Sequence, residues 1–276
     1  MVVTASIVLF RTPPFLIKRL LDCLSVADVC DQIYLIDNSP EEIEFPFSQY
    51  KDVVYIKSNN IGYGAGHNIA IRRCIPLSNF HFVLNPDIFF GEKELTVMLE
   101  RIQSDDSIGL LMPKILSPDN TVQYLCKLIP TPMDLFLRRF PLPVFRNQID
   151  SRNHKYELRF TGYDSEMNAP TLSGCFMLLN MSALKLVGIF DERFFMYAED
   201  VDLTRRLHYK FKTIYFPYAV VFHDHAKDSY KNLRMLFMHI FSVIKYFNKW
   251  GWIRDGKREV LNRRFLTSFN LDDVKR

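Results

Sequence analysis

The stretch "FFMYAEDVDLTRRL" at 194–207 places Glu199, Asp200 and Asp202 within four positions, directly after Phe194, Phe195 and Tyr197. Carboxylates this close repel one another, and neighbouring aromatics remove water that would screen them. Both effects raise a carboxylate pKa toward the range of a general base. The competing reading is an acidic first helical turn, since carboxylates favour the positive end of a helix dipole and Asp202 can pair with Arg205 or Arg206 one turn on. That explains Asp202 and leaves the aromatic run before Glu199 and Asp200 without a purpose.

Three other groups carry chemistry. "LNPD" at 84–87 ends an apolar run in Asn85 and Asp87, which form either a proline turn or a pair of oxygen ligands for Mg2+ or Mn2+. "AVVFHDH" ends in His223, Asp224 and His225. A histidine there is either a hydrogen-bonded structural residue or part of a metal site. "NNIGYGAGHN" at 59–68 contains Gly62, Gly64 and Gly66, which make either a structural turn or a loop whose amides approach a phosphate. A dinucleotide fingerprint competes, with Asp87 placed as its ribose acid, but G-x-G-x-G is not the required spacing and a full βαβ unit precedes it.

These groups need a scaffold that gathers them. The first half alternates β-rich apolar runs ("SIVLF", "QIYLID", "DVVYIK", "FHFVLN", "IGLLM") with helical patterns at 14–24, 65–75 and 92–103. In the first of these, Phe15, Ile17, Leu20, Leu21 and Leu24 fall near helical spacing after a proline start. This predicts an α/β fold with an open, mainly parallel sheet. Such sheets bind ligands beyond the carboxyl ends of their strands, where "DNS" (37–39), the glycine stretch and "NPD" all fall. Residues 117–170 are proline-punctuated and lack periodicity, as expected of a variable insert shaping an acceptor site or lid. Strand patterns return at 171–180 and 212–223, around a helix expected from about Asp200 to Tyr209.

The net charge of +4 over 276 residues argues against a dedicated nucleic-acid binder and allows attraction to anionic substrates or headgroups. The five cysteines are odd in number and scattered, which reads as buried thiols in a reducing compartment. The N-terminus lacks a basic n-region and cleavage site, and no apolar stretch reaches the roughly 20 residues of a membrane span. A cytoplasmic location is expected. The tail sets Leu233, Leu236, Phe237, Ile240, Phe241, Ile244 and Phe247 at helical spacing among Lys and Arg, with Trp250 and Trp252 nearby. It packs on the core or on a second subunit of a homodimer, or lies through 229–268 on the inner face of the cytoplasmic membrane.

Taken in order, "IDNS", "NNIGYGAGHN", "LNPD", "SGCFMLLN", "GIFDERFFMYAEDVDLTRRL" and "FHDH" resemble the inverting family 2 glycosyltransferases. Within these they are most similar to the bacterial rhamnosyltransferase-like enzymes of O-antigen and surface-polysaccharide assembly. The resemblance runs from residue 5 to about 225. It implies the GT-A fold over 1–226, with a nucleotide-sugar-binding half (1–116), an acceptor half (117–226) and a basic amphipathic helical tail (227–276). By the same resemblance Asp37 contacts the nucleotide base, Asn60, Gly62 and Asn68 line the nucleotide pocket, and Arg11 meets the nucleotide or diphosphate. Asp87 is the metal-binding acid of a D-x-D motif in which Asn85 replaces the first Asp. His223 completes the metal or diphosphate site, Asp200 is the catalytic base, and Glu199 is its neighbour on the acceptor side.

The implied cofactor is Mg2+ or Mn2+, and the implied partners are a sugar-nucleotide donor and a lipid-linked or oligosaccharide acceptor. dTDP-L-rhamnose is the first choice of donor, with UDP-linked galactose, glucose or N-acetylglucosamine as competitors. A nucleotidyltransferase would want a basic phosphate loop near the N-terminus, where only Arg11 stands. A silent sugar-nucleotide binder would tolerate Asp200→Asn.

Overall fold

The buried apolar runs of the first half form four adjacent parallel strands, β1 (Val3–Leu9), β2 (Gln32–Asp37), β3 (Val53–Lys57) and β4 (Phe80–Leu84), in the order β3-β2-β1-β4. The computed structural model describes residues 1–139, 146–224 and 233–269. Every residue of β1 is buried, as expected of a central strand covered on both faces. Register brings the carboxyl ends level: Leu9 pairs with Asp37, Asp37 with Lys57, and Ile7 with Leu84.

The first half thus keeps the parallel arrangement expected of it, and beyond β4 the sheet becomes mixed. β8 (Phe176–Asn180) runs antiparallel between β4 and β6 (Ile108–Leu116), and β6 is parallel to the long β9 (Lys212–His223). β5 (Ile88–Phe90) and β7 (Met167–Asn168) pair antiparallel with β9. The inserted β8 therefore starts at the same rim where β4, β6 and β9 end. The two runs read at 212–223 are one strand, whose register against β6 shifts between Phe216 and Val220, around Pro217, which has no N–H to give the ladder.

Helices cover both faces. α1 (Pro14–Ala27) begins with proline at its first position and ends on Asp28 in the left-handed region at φ 47, both favoured terminal signals. It buries Ile17, Leu20, Leu21 and Leu24, each side chain contributing about 2 kcal/mol. Phe15 is off this stripe and exposed. α2 (Tyr63–Cys74) lies against β1 and β2, and α3 (Glu94–Gln103) packs against β6 and β9. The insert holds α4 (Pro132–Arg139) and α5 (Arg146–Tyr156), and α6 (Met181–Val187) is capped by the Asn180 side chain. α7 (Glu199–His208) then leads into β9.

The C-terminal helices α8 (Leu233–Trp250) and α9 (Gly256–Thr267) are packed on this body. Tyr246 and Phe247 of α8 cluster with Phe194, and Phe265 of α9 joins the core with Leu203, Leu207 and Tyr215. Arg205, nearly inaccessible, pairs with Asp255 at 2.7 Å, approaches the Tyr246 hydroxyl at 3.1 Å and sits over the Trp250 ring. All five cysteines are free thiols, with Cys74, Cys126 and Cys175 buried and Cys23 and Cys30 half-buried. No helix among the described residues is long and apolar enough to cross a membrane.

Candidate active site

The connection between β4 and β5 places Asn85 and Asp87, and β5 pairs Ile88 with His223 at the end of β9. Register alone thus sets His223 beside Asp87. The Asp224 N–H donates to the Asp87 carbonyl at 2.9 Å, and His223 Nε2 lies 3.2 Å from Asp87 Oδ1 and 3.4 Å from Asn85 Nδ2. His225, read as a second histidine of this group, lies outside the described residues. A carboxylate beside an imidazole is a donor pair that divalent ions accept, with phosphate oxygens left to fill the shell. Among the described residues no group of three or more His, Cys, Asp or Glu converges on one point. The donor set fits a cation whose shell is shared with a diphosphate.

On the other side of Asn85, its N–H donates to the Cys175 carbonyl at 2.9 Å, which brings Gly174 alongside. Tyr63 joins the two: its hydroxyl lies 2.6 Å from the Gly174 carbonyl oxygen and 2.9 Å from Asn85 Oδ1. The Gly174 N–H in turn donates to Asp200 Oδ2 at 3.0 Å, and the Val201 N–H donates to Oδ1 at 2.8 Å. A continuous run of contacts therefore leads from His223 and Asp87 through Asn85, Tyr63 and Gly174 to Asp200. Burial first, and then Cys175, Glu199, Asp200 and Asp87, hold the Tyr63 phenol well above its ordinary pKa. Tyr63 and Gly174 were not identified from sequence.

The segment leading into Asp200 is strained and held from two sides. Tyr197 and Ala198 both adopt left-handed backbone, φ 68 and 64, which costs on the order of 1–3 kcal/mol per non-glycine residue. The Tyr63 N–H donates to the Phe195 carbonyl at 2.9 Å, and the Ser242 hydroxyl of α8 donates to the Met196 carbonyl at 2.7 Å. Lys245 adds a 2.6 Å bond to the Arg193 carbonyl. Gly62 permits the approach from α2: its φ is +98, and a Cβ there would sit 2.2 Å from the Phe195 oxygen. The glycine stretch is thus a close junction with the acidic segment, Gly64 meeting Phe190 and Gly66 meeting Val8 in the same way.

The three acids that open α7 have different surroundings. Asp202 is fully buried and bonded to Arg206 at 2.9 Å, Lys249 at 2.6 Å and the Trp250 indole at 2.8 Å, a structural role close to the pairing predicted. Glu199 is buried, and its Oε2 has no hydrogen-bond partner among the described residues. Burial, then the charge of Asp200, push Glu199 up to about 8. The raised carboxyl expected of this cluster is therefore found at Glu199.

Two expected nucleotide contacts lie elsewhere. Asn68 is wholly buried: its Nδ2 donates to the Phe190 carbonyl at 2.9 Å and Glu192 at 2.8 Å, while Oδ1 accepts the Phe190 N–H at 3.1 Å. It clamps α2 to the segment before Asp200 and cannot line a pocket as placed. Asp37 has no accessible surface and accepts from the Ser39 N–H at 2.8 Å and the Tyr55 hydroxyl at 2.6 Å, with Lys57 at 3.2 Å. Burial pushes this carboxyl up, but the bonds from Ser39, Tyr55 and Lys57 outweigh it and hold the pKa below the usual value. Asp37 shapes the rim from behind. Asn60 and Arg11 are exposed at the ends of β3 and β1, where Arg11 (φ 51) donates its N–H to the Ser39 hydroxyl at 2.7 Å.

This fold is that of the GT-A glycosyltransferases. The crystal structure of GalNAc-T7 with UDP, GalNAc and Mn2+ superposes with a TM-score of 0.63 at 12% identity, covering 98% of this chain and 54% of that one. In sequence the chain is similar to rhamnosyltransferases, which bears out the resemblance read from its motifs. It is 30% identical over 181 residues to the N-acetylglucosaminyl-diphospho-decaprenol L-rhamnosyltransferase of Mycobacterium tuberculosis, covering 62% of this chain and 58% of that protein. It is 26% identical over 268 residues to rhamnosyltransferase WbbL of Escherichia coli strain K12, covering 90% and 91%. No family model matches the chain.

Proposed function

We propose that this chain is an inverting glycosyltransferase of surface-polysaccharide assembly such as that of O-antigen. It moves L-rhamnose from dTDP-L-rhamnose to a saccharide carried on a lipid diphosphate. The observation that supports this best is the run of contacts joining the Asp87–His223 pair to Asp200, which sets that acid a short way from a diphosphate site. Asp200 takes the proton of an acceptor hydroxyl as that oxygen bonds to the anomeric carbon. The bond from that carbon to the diphosphate breaks, and the electron pair leaves with the nucleoside diphosphate. One displacement inverts the centre. Asp87 and His223 would hold Mg2+ or Mn2+, which would supply positive charge to the leaving diphosphate. A neutral Glu199 keeps a second negative charge away from Asp200.

The names of both relatives support rhamnose as the sugar, and that of the mycobacterial protein supports a lipid-diphosphate acceptor. Exposed Arg11 and Asn60 are suited to meet the nucleotide. In this reading 1–116 handles the donor and 117–226 the acceptor, while α8 serves as more than a tail. Its inner face steadies the base segment through Ser242, Tyr246 and Phe247, and its outer face exposes Phe237 and Phe241, 56% and 59% accessible. Seated at the inner face of the cytoplasmic membrane, that stripe would bring a lipid-linked acceptor to Asp200. Anionic vesicles should retain the wild type and lose a Phe237→Ser/Phe241→Ser variant. Loss of dimerisation without loss of vesicle binding would assign the stripe to a second copy.

The deciding experiment incubates the protein with dTDP-L-rhamnose, UDP-galactose, UDP-glucose or UDP-N-acetylglucosamine, a lipid-diphosphate N-acetylglucosamine acceptor and Mn2+, following product mass. A rhamnosylated product from the first donor alone is expected. Transfer from a UDP-hexose would replace the donor, and binding of a donor without turnover on any acceptor would favour a non-catalytic binder.

A further inference from the structure

Gln123 lies just past the turn that follows β6, in the insert rather than in any motif. Its amide is placed by three bonds. Nε2 donates one hydrogen to the His223 carbonyl at 2.8 Å and the other to the Ser117 hydroxyl at 3.1 Å, while Oε1 lies 3.0 Å from His223 Nδ1. Reversing the amide would set its oxygen against the His223 carbonyl oxygen, two acceptors with no proton between them. The orientation therefore follows from the network. Oε1 has only lone pairs to offer, so His223 must carry its hydrogen on Nδ1. In the neutral ring Nε2 is then an acceptor within 3.4 Å of the Asn85 amide and 3.2 Å of Asp87 Oδ1, two lone-pair donors at the spacing of neighbouring ligands, which a shared cation would satisfy.

The turn that carries Gln123 is itself fixed. Asn120, at φ 64, donates its N–H to the Ser117 carbonyl at 2.9 Å, and the Gln123 N–H donates to the Ile115 carbonyl at 2.9 Å. The side chain is thus set from the β6 edge and grips His223 at both its backbone and its ring.

We propose that Gln123 is a positioning residue for divalent-cation binding: by accepting the Nδ1 hydrogen it locks His223 in the tautomer that presents Nε2, beside Asp87, to the ion. The proposal rests on the metal reading of Asp87 and His223 given above. Partners of this kind orient ligating histidines, and their loss typically weakens metal affinity about 10–100-fold. The Gln123 amide is bonded to His223 and Ser117, so the proposed effect on the ion runs through the histidine.

The test uses the full chain and two readouts that do not require turnover. In the metal-free protein, 15N NMR of the imidazole should show Nδ1 protonated in the wild type and a mixture of tautomers in Gln123→Leu. Mn2+ affinity with dTDP or UDP present, followed by electron paramagnetic resonance, should fall about 10–100-fold in Gln123→Leu. Gln123→Glu, which keeps an acceptor for Nδ1, should restore most of it. In a His223→Ala background, Gln123→Leu should change nothing further. A wild-type ring protonated at Nε2 alone, or equal Mn2+ affinity in Gln123→Leu and wild type while His223→Ala is weakened, would overturn the positioning role and leave the metal reading standing. Unchanged Mn2+ binding in His223→Ala, or none in the wild type, would overturn the metal reading itself. Gln123→Leu and Gln123→Glu equally impaired would mark Gln123 as a packing residue and overturn the proposal.

Discussion

Asp37, at the end of β2, and Glu199, at the start of α7, are both buried carboxyls, 0% and 5% accessible, yet their surroundings are opposite. The protein surrounds Asp37 with an amide, a phenol and an ammonium, so it stays ionised and ties β2, β3 and the rim loop together. Glu199 receives no such donors at Oε2 and has Asp200 as its neighbour, so it holds its proton. The first region spends its polar atoms on structure. The second leaves a buried carboxyl oxygen without a donor among the described residues, and that difference, more than acidity or position after a strand, separates framework from candidate site.

The sharpest way to break the second region is at Gly62. Gly62→Ala drives a Cβ toward the Phe195 oxygen at a φ of +98, which should cost about 4 kcal/mol of stability, read as a lowered denaturation midpoint. The segment before Asp200 should shift, so under the proposed mechanism the folded fraction should also lose transfer. Retained activity and stability would mean that the junction is not what places Asp200.

The first region should fail through stability rather than chemistry. Asp37→Asn removes the charge facing Lys57 and points an amide N–H at existing donors, a loss of about 3 kcal/mol. Because the folded pKa of Asp37 lies below the unfolded one, the wild-type advantage is present above the unfolded pKa near 3.8 and lost as pH falls through the folded value. Urea midpoints for wild type and variant should therefore converge in acid.

Glu199 should behave in the reverse sense and more mildly. Its folded pKa, about 8, lies above its ordinary 4.5, so between those values the unfolded chain releases a proton that the folded one keeps. Stability from this group falls as pH rises through that window. Glu199→Gln should be neutral near pH 4 and stabilising near pH 8, with calorimetric midpoints as the measure. Destabilisation at every pH would mean Glu199 is paired in solution.

Much of the framework was readable. β1 and β4 are near-continuous apolar runs because both faces are covered, the half-buried edge strand β3 still reads as a β-branched run, and α7 announces itself through its acids. β5 was missed because three residues carry no periodicity, and α5 because only Ile149 and Tyr156, seven positions apart, are buried in a polar sequence. Asp87, His223, Glu199 and Asp200 were legible because each stands at an element end on one rim. Tyr63 and Gln123 were not: their partners lie 22 and 111 residues away for the tyrosine and 100 for the glutamine, separations that only the folded sheet closes. Asn68 and Asp37 were misplaced because sequence shows a polar residue near a rim without showing which donors and acceptors already occupy it.

The most direct test is to measure donor affinity and turnover together in Asp200→Asn, with dTDP-L-rhamnose, Mn2+ and the lipid-diphosphate acceptor. The expected result is donor binding within a few-fold of wild type and kcat lowered by about 10²–10⁴-fold, the usual contribution of a general base. Turnover within a few-fold of wild type would remove Asp200 from the chemistry and contradict the proposed mechanism.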